Sequence, residues 1–119
     1  MYKIAVDTSF LIFMIKRKIE INRVNELFNG PIKFYTSKGV LNELENIADS
    51  EKNDSNYAKL SLNLMNKMNF EIENDEKIPD EWLIEQEIIA TVDMPLSKKA
   101  VKKGVRVINI TKSNKLVLR

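Results

Sequence analysis

The apolar positions at the start of the chain fall into two runs separated by a short polar break. Tyr2 to Val6 has the composition of a buried strand, and Phe10 to about Lys16 begins as an unbroken apolar run that suits a helix. The break, Asp7-Thr8-Ser9, consists of residues that commonly cap helix N-termini. The pattern therefore predicts a strand that passes through one short turn into a helix, with Asp7 at the end of the strand.

Strand and helix patterns alternate along the rest of the chain. Further helices are predicted at Ile21 to Phe28, at a Ser37-capped segment with Val40, Leu41, Leu44, Ile47 and Ala48 on one face, at a segment with Tyr57, Leu60, Leu64 and Met68, at Asp80 to about Gln86 after Pro79, and at Leu96 to Lys103 before Gly104. Strands are predicted at Lys33 to Thr36, around Phe70 and Ile72, at Glu87 to Thr91, at Val105 to Ile110 and, at an edge, at Leu116 to Leu118. The polar run Asp49 to Asn56 predicts an exposed loop, too short to separate domains.

Strands separated by helices are typical of an α/β fold, in which a parallel sheet carries helices on both faces. The 119 residues are 44% hydrophobic, which is enough for one domain with its own core. We therefore expect a single domain over residues 1–119. In open parallel sheets ligands bind outside the carboxyl ends of the strands, so the site is expected there.

The composition of the chain excludes several kinds of function. No stretch approaches the roughly 18 consecutive apolar residues that a membrane span needs, and the N-terminus lacks a signal-peptide pattern, so a cytoplasmic protein is expected. The chain has no cysteine and no histidine. Disulfides, thiolate zinc sites, a cysteine nucleophile and the commonest general base are therefore excluded. Any chemistry would have to use carboxylates.

Charge is divided along the chain although the net charge is only +2. Between Asn69 and Asp93 the acidic residues greatly outnumber the single base, Lys77. After Ser97 there is no acid, and the basic residues include Lys98, Lys99, Lys102, Lys103, Lys112 and Lys115. These six lysines are predicted to bind nucleic-acid phosphates beside an acidic, metal-binding region. The alternative is a solvated helix face followed by an edge strand.

Four acids stand where the predicted topology brings chain segments together. Asp7 follows the first strand, Glu43 lies on the helix after the second, Asp80 opens the helix after the third, and Asp93 follows the fourth. Because carboxyl ends of parallel strands share one edge, all four are expected to point into one crevice. Hard cations such as Mg²⁺ and Mn²⁺ prefer oxygen ligands, and such ions allow phosphodiester hydrolysis without histidine.

Each acid also has a purely structural interpretation. Asp7 could be a helix N-cap, Asp80 could cap the next short helix, and the adjacent Glu81 could favour that helix's dipole. Glu43 lies at the edge of an apolar stripe, where surface Glu is common, and Asp93 before Met94-Pro95 could begin a turn. Only their expected convergence favours a site.

Four segments resemble the successive motifs of PIN domain nucleases: KIAVDTSFLI, YTSKGVLNELENI, PDEWLIE and IIATVDMPLSKKAVKKGVRVI. Together they span nearly the whole chain, and with the closing SNKLVLR they are most similar to archaeal proteins like the PIN nucleases of the small-subunit processome. The resemblance implies a three-layer α/β/α fold, Mg²⁺ or Mn²⁺ as cofactor, and Asp7, Glu43 and Asp93 as acidic site residues. Ser9 and Thr91 fall on its supporting hydroxyl positions.

The third acid of the resemblance is either Asp80 or Glu81, since both precede Trp82-Leu83-Ile84. Asp80 is preferred because of its spacing to Leu83. The segment between Asp80 and Asp93 is shorter than the family pattern, and a shortened helix could shift Asp80 away from the metal, which would leave weak activity or an RNA-binding relic.

The implied function is metal-dependent cleavage of single-stranded RNA, with precursor ribosomal RNA or ribosomal particles as partners and with a homodimer as an open alternative to a monomer. The same fold also serves as the toxin ribonuclease of toxin–antitoxin pairs and as noncatalytic RNA-binding assembly factors, and these alternatives stay open. Two other classes fit poorly. A receiver-like phosphoacceptor would need an acidic pair after the first strand, and a haloacid-dehalogenase-type phosphatase would need Asp where Ser9 stands.

Overall fold

A six-stranded sheet lies at the centre of the protein, whose structure is a computed structural model that describes all of residues 1–119. The strands are β1 (Tyr2–Val6), β2 (Ile32–Ser37), β3 (Glu71–Glu73), β4 (Ile88–Ala90), β5 (Arg106–Ile110) and β6 (Leu116–Leu118). Their order in the sheet is β3-β2-β1-β4-β5-β6. All neighbours pair in parallel except β5 and β6, which are antiparallel. The α/β prediction is confirmed, with an antiparallel strand added at one edge.

Helices cover both faces of this sheet. They are α1 (Thr8–Lys16), α2 (Lys38–Ala48), α3 (Ser55–Lys67), α4 (Pro79–Leu83) and α5 (Met94–Lys102), together with a 3₁₀ helix at Ile21–Leu27. On one face, Phe10 and Leu11 of α1 form a core with residues of α2, α3 and the 3₁₀ helix. On the other face, Trp82 of α4 and Leu96 of α5 pack against a second core. The result is a three-layer α/β/α arrangement. No helix is long and apolar enough to cross a membrane.

The connections reverse direction between β1 and β4. From β1 the chain moves outwards to β2 and β3, and it then returns to the far side of β1 and continues from β4 to β5 and β6. Such a reversal leaves a crevice at the carboxyl ends of the two central strands, because the following segments turn to opposite faces. Asp7 N–H donates to the Ala90 carbonyl oxygen at 3.0 Å, so the segments that leave β1 and β4 begin side by side.

Two predicted helices differ from their expected form. The segment from Ile21 is a 3₁₀ helix because its buried residues, Ile21 and Val24, are three apart, which matches the period of 3.0. In α3 the buried face carries Ala58, Ser61 and Met65, whereas Leu60 is 51% exposed. Leu60, one of the four residues whose spacing predicts this helix, therefore lies outside its buried face. Small side chains at positions 58 and 61 let α3 approach α1 and α2 closely, and this packing sets the rotation of the helix.

Candidate active site

A cavity of about 570 Å³ opens at the carboxyl ends of β1 and β4. Four of the five predicted acids line it: Asp7, Glu43, Asp80 and Asp93. They come from four different segments, namely the end of β1, α2, α4 and the residue before α5. Glu81 does not line the cavity and is exposed to solvent. The structure therefore brings together four acids that are far apart in sequence and leaves the fifth outside.

Asp7 is the most enclosed of the acids, with 5% of its surface exposed. Its Oδ2 atom accepts hydrogen bonds from Ser9 Oγ and from Thr91 Oγ1, each at 2.8 Å. Ser9 Oγ and Thr91 Oγ1 also lie 3.2 Å apart, but each hydroxyl has only one proton and both protons are directed to Asp7. Asp7 Oδ1 has no hydrogen-bond partner in the protein. The carboxylate is thus held through one oxygen while the other stays available to a ligand.

The structure argues against the capping interpretation of Asp7. The residue occupies the N-cap position of α1 with extended backbone angles, yet its side chain makes no capping hydrogen bond. Asp93 differs, because its Oδ1 accepts a hydrogen bond from Leu96 N–H at 3.1 Å and so caps α5. Asp93 therefore has a structural role in addition to lining the cavity.

Burial raises the pKa of Asp7 from its ordinary value of 3.8 to about 6. The loss of solvation is the largest cause, and hydrogen bonds from Thr91 and Ser9 oppose it because they stabilise the ionised form. The negative charges of Glu43 and Asp80 raise the pKa further. Glu43 and Asp80 are therefore close enough to Asp7 for their charges to act on it.

The hydroxyl of Thr91 is placed by a buried network behind the cavity. Asn109 on β5 is 3% exposed and donates from Nδ2 to the Thr91 carbonyl oxygen at 2.7 Å. Ser97 Oγ donates to Asn109 Oδ1 at 3.2 Å, so both ends of the amide are used. Sequence reasoning did not select Asn109. The signal was present, since an Asn inside the apolar pattern of a central strand requires a buried hydrogen-bond partner.

Asp80 lies at the cavity although α4 has only five residues. Trp82 is 1% exposed, packs edge-on against the Tyr35 ring with centroids 5.6 Å apart, and donates from Nε1 to Glu73 Oε1 at 3.2 Å. Tyr35 also donates its hydroxyl proton to Gln86 Oε1 at 2.8 Å. These contacts fix the short helix on the sheet. Although the segment after Asp80 is short, Asp80 lines the same cavity as Asp7, Glu43 and Asp93.

A glycine on α2 brings the segment before α4 close to the site. Gly39 N–H donates to the Asp75 carbonyl oxygen at 3.0 Å, and a Cβ on Gly39 would overlap the carbonyl oxygen of Lys77. Only glycine allows this approach. The loop that leads to Pro79 and Asp80 is therefore packed directly on the first turn of the helix that carries Glu43.

The donor set of the cavity suits a hard cation. All four acids lack an ion pair with a basic side chain. The hydroxyl of Thr8, which also lines the cavity, is the one buried side-chain polar atom without a hydrogen-bond partner. No three acidic side chains are close enough to form a ready-made metal cluster. Mg²⁺ commonly uses one or two carboxylates and retains several waters, and the residues that could hold it here are Asp7, Glu43, Asp80 and Asp93.

Comparison with known proteins identifies a family and two solved structures with a similar fold. The model of a family described as "PIN like domain" matches residues 4–113. The chain belongs to this family. Among solved structures, it is similar to one described as the PIN domain endonuclease Utp24, with a TM-score of 0.80 and 18% identity over 99% of this chain and 91% of that one. It is also similar to a domain of a functionally unknown protein from Methanocaldococcus jannaschii DSM 2661, with a TM-score of 0.69 and 17% identity over 98% and 96% of the two chains. No curated protein matches the sequence.

Of the residues that line the acidic cavity of this PIN-like domain without having been predicted, three are charged or aromatic. They are Phe13 and Lys16 on α1 and Asp54 in the loop before α3. Lys16 Nζ pairs with Asp54 Oδ1 at 2.9 Å, which neutralises both charges at the outer end of the cavity. The sequence pattern assigned Asp54 to an exposed loop and Phe13 to the core of the first helix. Both reach the cavity because α1 lies beside α2 and the loop folds back over them.

The six predicted RNA-binding lysines are exposed, and none lines the cavity. They separate into two groups. The first group lies on or just after α5 and consists of Lys98, Lys99, Lys102 and Lys103. Because α5 runs away from its cap Asp93, Lys102 lies about 13 Å from Asp93 along the helix axis, at 1.5 Å per residue. Lys112 and Lys115 lie in the turn after β5, at the same end of the sheet as the acids. Their RNA-binding role stays a prediction.

A larger groove of about 1030 Å³ lies between α3 and the segment from Met14 to Asn22. Glu20 is its only acidic residue, and its lining is largely apolar. The chemistry therefore assigns the candidate active site to the smaller cavity with four carboxylates.

Proposed function

We propose that this PIN-like domain is a divalent-metal-dependent endoribonuclease that cleaves single-stranded RNA, with precursor ribosomal RNA as the substrate class to test first. The Asp7 carboxylate carries the proposal. It is buried, held by two hydroxyls through Oδ2, free at Oδ1, and accompanied by three other acids without a basic partner. Of the four, only Asp7 is buried; Asp93 is half-buried, and Glu43 and Asp80 are exposed. Burying the unpaired Asp7 carboxylate beside other negative charges is costly, and a bound cation would reduce that cost. The similarity in fold to the PIN domain endonuclease Utp24 supports the same proposal.

In this proposal Asp7, Glu43, Asp80 and Asp93 would hold Mg²⁺ or Mn²⁺, one or two of them directly through carboxylate oxygens and the others through bound water, since no three are close enough to form a ready-made cluster. Such an ion, when bound, lowers the pKa of coordinated water and offsets the charge of a phosphodiester. Ser9 and Thr91 orient Asp7 by donating to Oδ2, so that Oδ1 faces a ligand in a fixed position. Asp93 retains its cap to Leu96 N–H through Oδ1 and has Oδ2 for the ion. Glu81 has no role, since it lies outside the cavity.

The test is cleavage of a single-stranded RNA and of a precursor ribosomal RNA in the presence of Mn²⁺ or Mg²⁺. Asp7→Asn is expected to abolish cleavage while RNA binding survives or improves, because a ligand is lost and no negative charge is added. Asp80→Asn should also reduce cleavage strongly, whereas its neighbour Glu81→Gln, the matched control, should cleave like the unchanged protein.

Equal cleavage by the unchanged protein and by Asp7→Asn would refute the proposal. So would RNA binding by the unchanged protein without any metal-dependent cleavage, and that result would favour a noncatalytic RNA-binding protein. Selective cutting of precursor ribosomal RNA, compared with unrelated single strands, would assign the substrate. Growth arrest on expression would instead point to a toxin ribonuclease.

A further inference from the structure

One aromatic ring at the wall of the acidic cavity lies against an arginine. Phe13 lines the cavity and is half-buried. The Arg17 guanidinium carbon lies 4.8 Å from the centre of the Phe13 ring, one helical turn further along α1. Ser9, which binds Asp7, lies one turn before Phe13 on the same face, since residues four apart are neighbours on a helix. This face of α1 therefore runs from the acids to a ring and then to a cation.

The arginine is held in place but is not neutralised. Arg17 Nη1 donates to Asn114 Oδ1 at 3.1 Å, and Arg23 Nη1 donates to the Asn114 carbonyl oxygen at 3.4 Å. Neither arginine forms an ion pair with an acid. Asn114 lies in the turn between β5 and β6, which also carries the exposed Lys112 and Lys115. Positive charge is thus gathered at the end of α1, about 12 Å along the helix from Ser9 at 1.5 Å per residue.

An acidic cavity repels the phosphates of RNA, so a strand needs binding energy from neighbouring surface. An aromatic ring stacks on any base, and an unpaired guanidinium binds phosphate and stacks as well. We infer that Phe13 and Arg17 form a subsite for a nucleotide next to the cleaved bond, in which the base stacks against the pair formed by the Phe13 ring and the Arg17 guanidinium, and the guanidinium also contacts the backbone. This subsite rests on the proposed function, because it extends the same RNA-binding site.

The test measures RNA binding without metal, so it does not depend on cleavage. Fluorescence anisotropy would follow a labelled oligoadenylate and a strand of equal length that lacks bases. Phe13→Leu keeps the apolar bulk but removes the stacking face. It should weaken oligoadenylate binding by about 5- to 100-fold and leave binding of the abasic strand nearly unchanged. Phe13→Trp, which keeps a ring, should bind oligoadenylate at least as well as the unchanged protein.

Arg17→Gln should weaken binding of both strands and reduce the slope of log affinity against log salt by about 0.7, the value for one phosphate contact on a single strand. Two matched controls lie at the opposite ends of strands. Tyr2→Leu removes an exposed aromatic at the start of β1, and Arg106→Gln removes an exposed arginine at the start of β5. Both controls should bind like the unchanged protein.

Two results would overturn the subsite: equal effects of Phe13→Leu and Tyr2→Leu, or no binding of oligoadenylate by the unchanged protein. Failure of the nuclease proposal is recognised separately. If the effects of the Phe13 and Arg17 substitutions are observed but the unchanged protein never cleaves RNA with Mn²⁺, the subsite is supported and the proposed nuclease activity is refuted.

Discussion

Replacement of Asp7 by asparagine should stabilise the metal-free protein above pH 6. Asparagine has nearly the same shape, and its carbonyl oxygen can accept the hydrogen bonds that Ser9 and Thr91 donate to Oδ2. Its amide group would take the place of Oδ1, which has no partner in the protein. What the substitution removes is a buried negative charge near Glu43 and Asp80.

The size of the effect follows from the pKa of Asp7, which is raised from 3.8 to about 6, mainly by burial. Each pKa unit corresponds to about 1.36 kcal/mol, so the ionised side chain destabilises the fold by about 3 kcal/mol. Below pH 3.8 the group is protonated in both states and contributes nothing. Between pH 3.8 and about 6 the folded protein keeps a proton that the unfolded chain has released, so stability falls as the pH rises. Above pH 6 the full penalty is present.

Urea unfolding at several pH values would measure this difference, with the fluorescence of the single tryptophan, Trp82, as the probe. The stability of Asp7→Asn minus that of the unchanged protein should grow from near zero below pH 4 to about 3 kcal/mol above pH 6. Titrating groups that do not interact with Asp7 cancel in the difference. A difference that does not change with pH, or an Asp7→Asn protein less stable at pH 8, would refute the electrostatic reasoning. Added Mn²⁺ should stabilise the unchanged protein, by about 2.7 kcal/mol at a hundred times its Kd, and not the variant.

Two further substitutions test the contacts that hold the candidate site in place. Gly39→Ala places a methyl group against the Lys77 carbonyl, so the free energy of unfolding should fall by about 1–3 kcal/mol. RNA cleavage should also fall, because the loop that leads to Asp80 would be displaced. Unchanged stability and activity would contradict the close approach of Gly39 to this loop. Asn109→Leu leaves the Thr91 carbonyl without its buried donor and should lower the free energy of unfolding in urea by about 1–3 kcal/mol. A loss below about 1 kcal/mol would show that the network is not needed.

Local sequence was sufficient for most of the fold. The apolar runs, the Ser37 cap, which accepts from Val40 N–H at 3.1 Å, and the left-handed Gly104 after α5 are determined by neighbours in the chain. These features place one element after another in the right order. Asp7 and Asp93 also follow from local sequence, because each stands directly after a strand and the carboxyl ends of parallel strands meet at one edge.

Other features needed the folded chain. The spacing of apolar residues does not locate the buried face of α3, because Ala58 and Ser61 on that face pack closely against helices α1 and α2. Asp80 stays at the cavity because Trp82, Tyr35 and Gln86 anchor a five-residue helix, and no pattern around Asp80 indicates those contacts.

Sequence alone thus determined which residue types are candidates for chemistry in this protein. Without cysteine or histidine, the candidates are carboxylates, and the predicted ends of the strands indicate which carboxylates to consider. Only the tertiary structure decided which of them meet, that Asp7 leaves Oδ1 free instead of capping α1, and that Phe13 lines the cavity with the Arg17 guanidinium against its ring. The physical reason is that capping, burial and stacking depend on distances between segments, and those distances are set by how the two helical layers pack on the sheet.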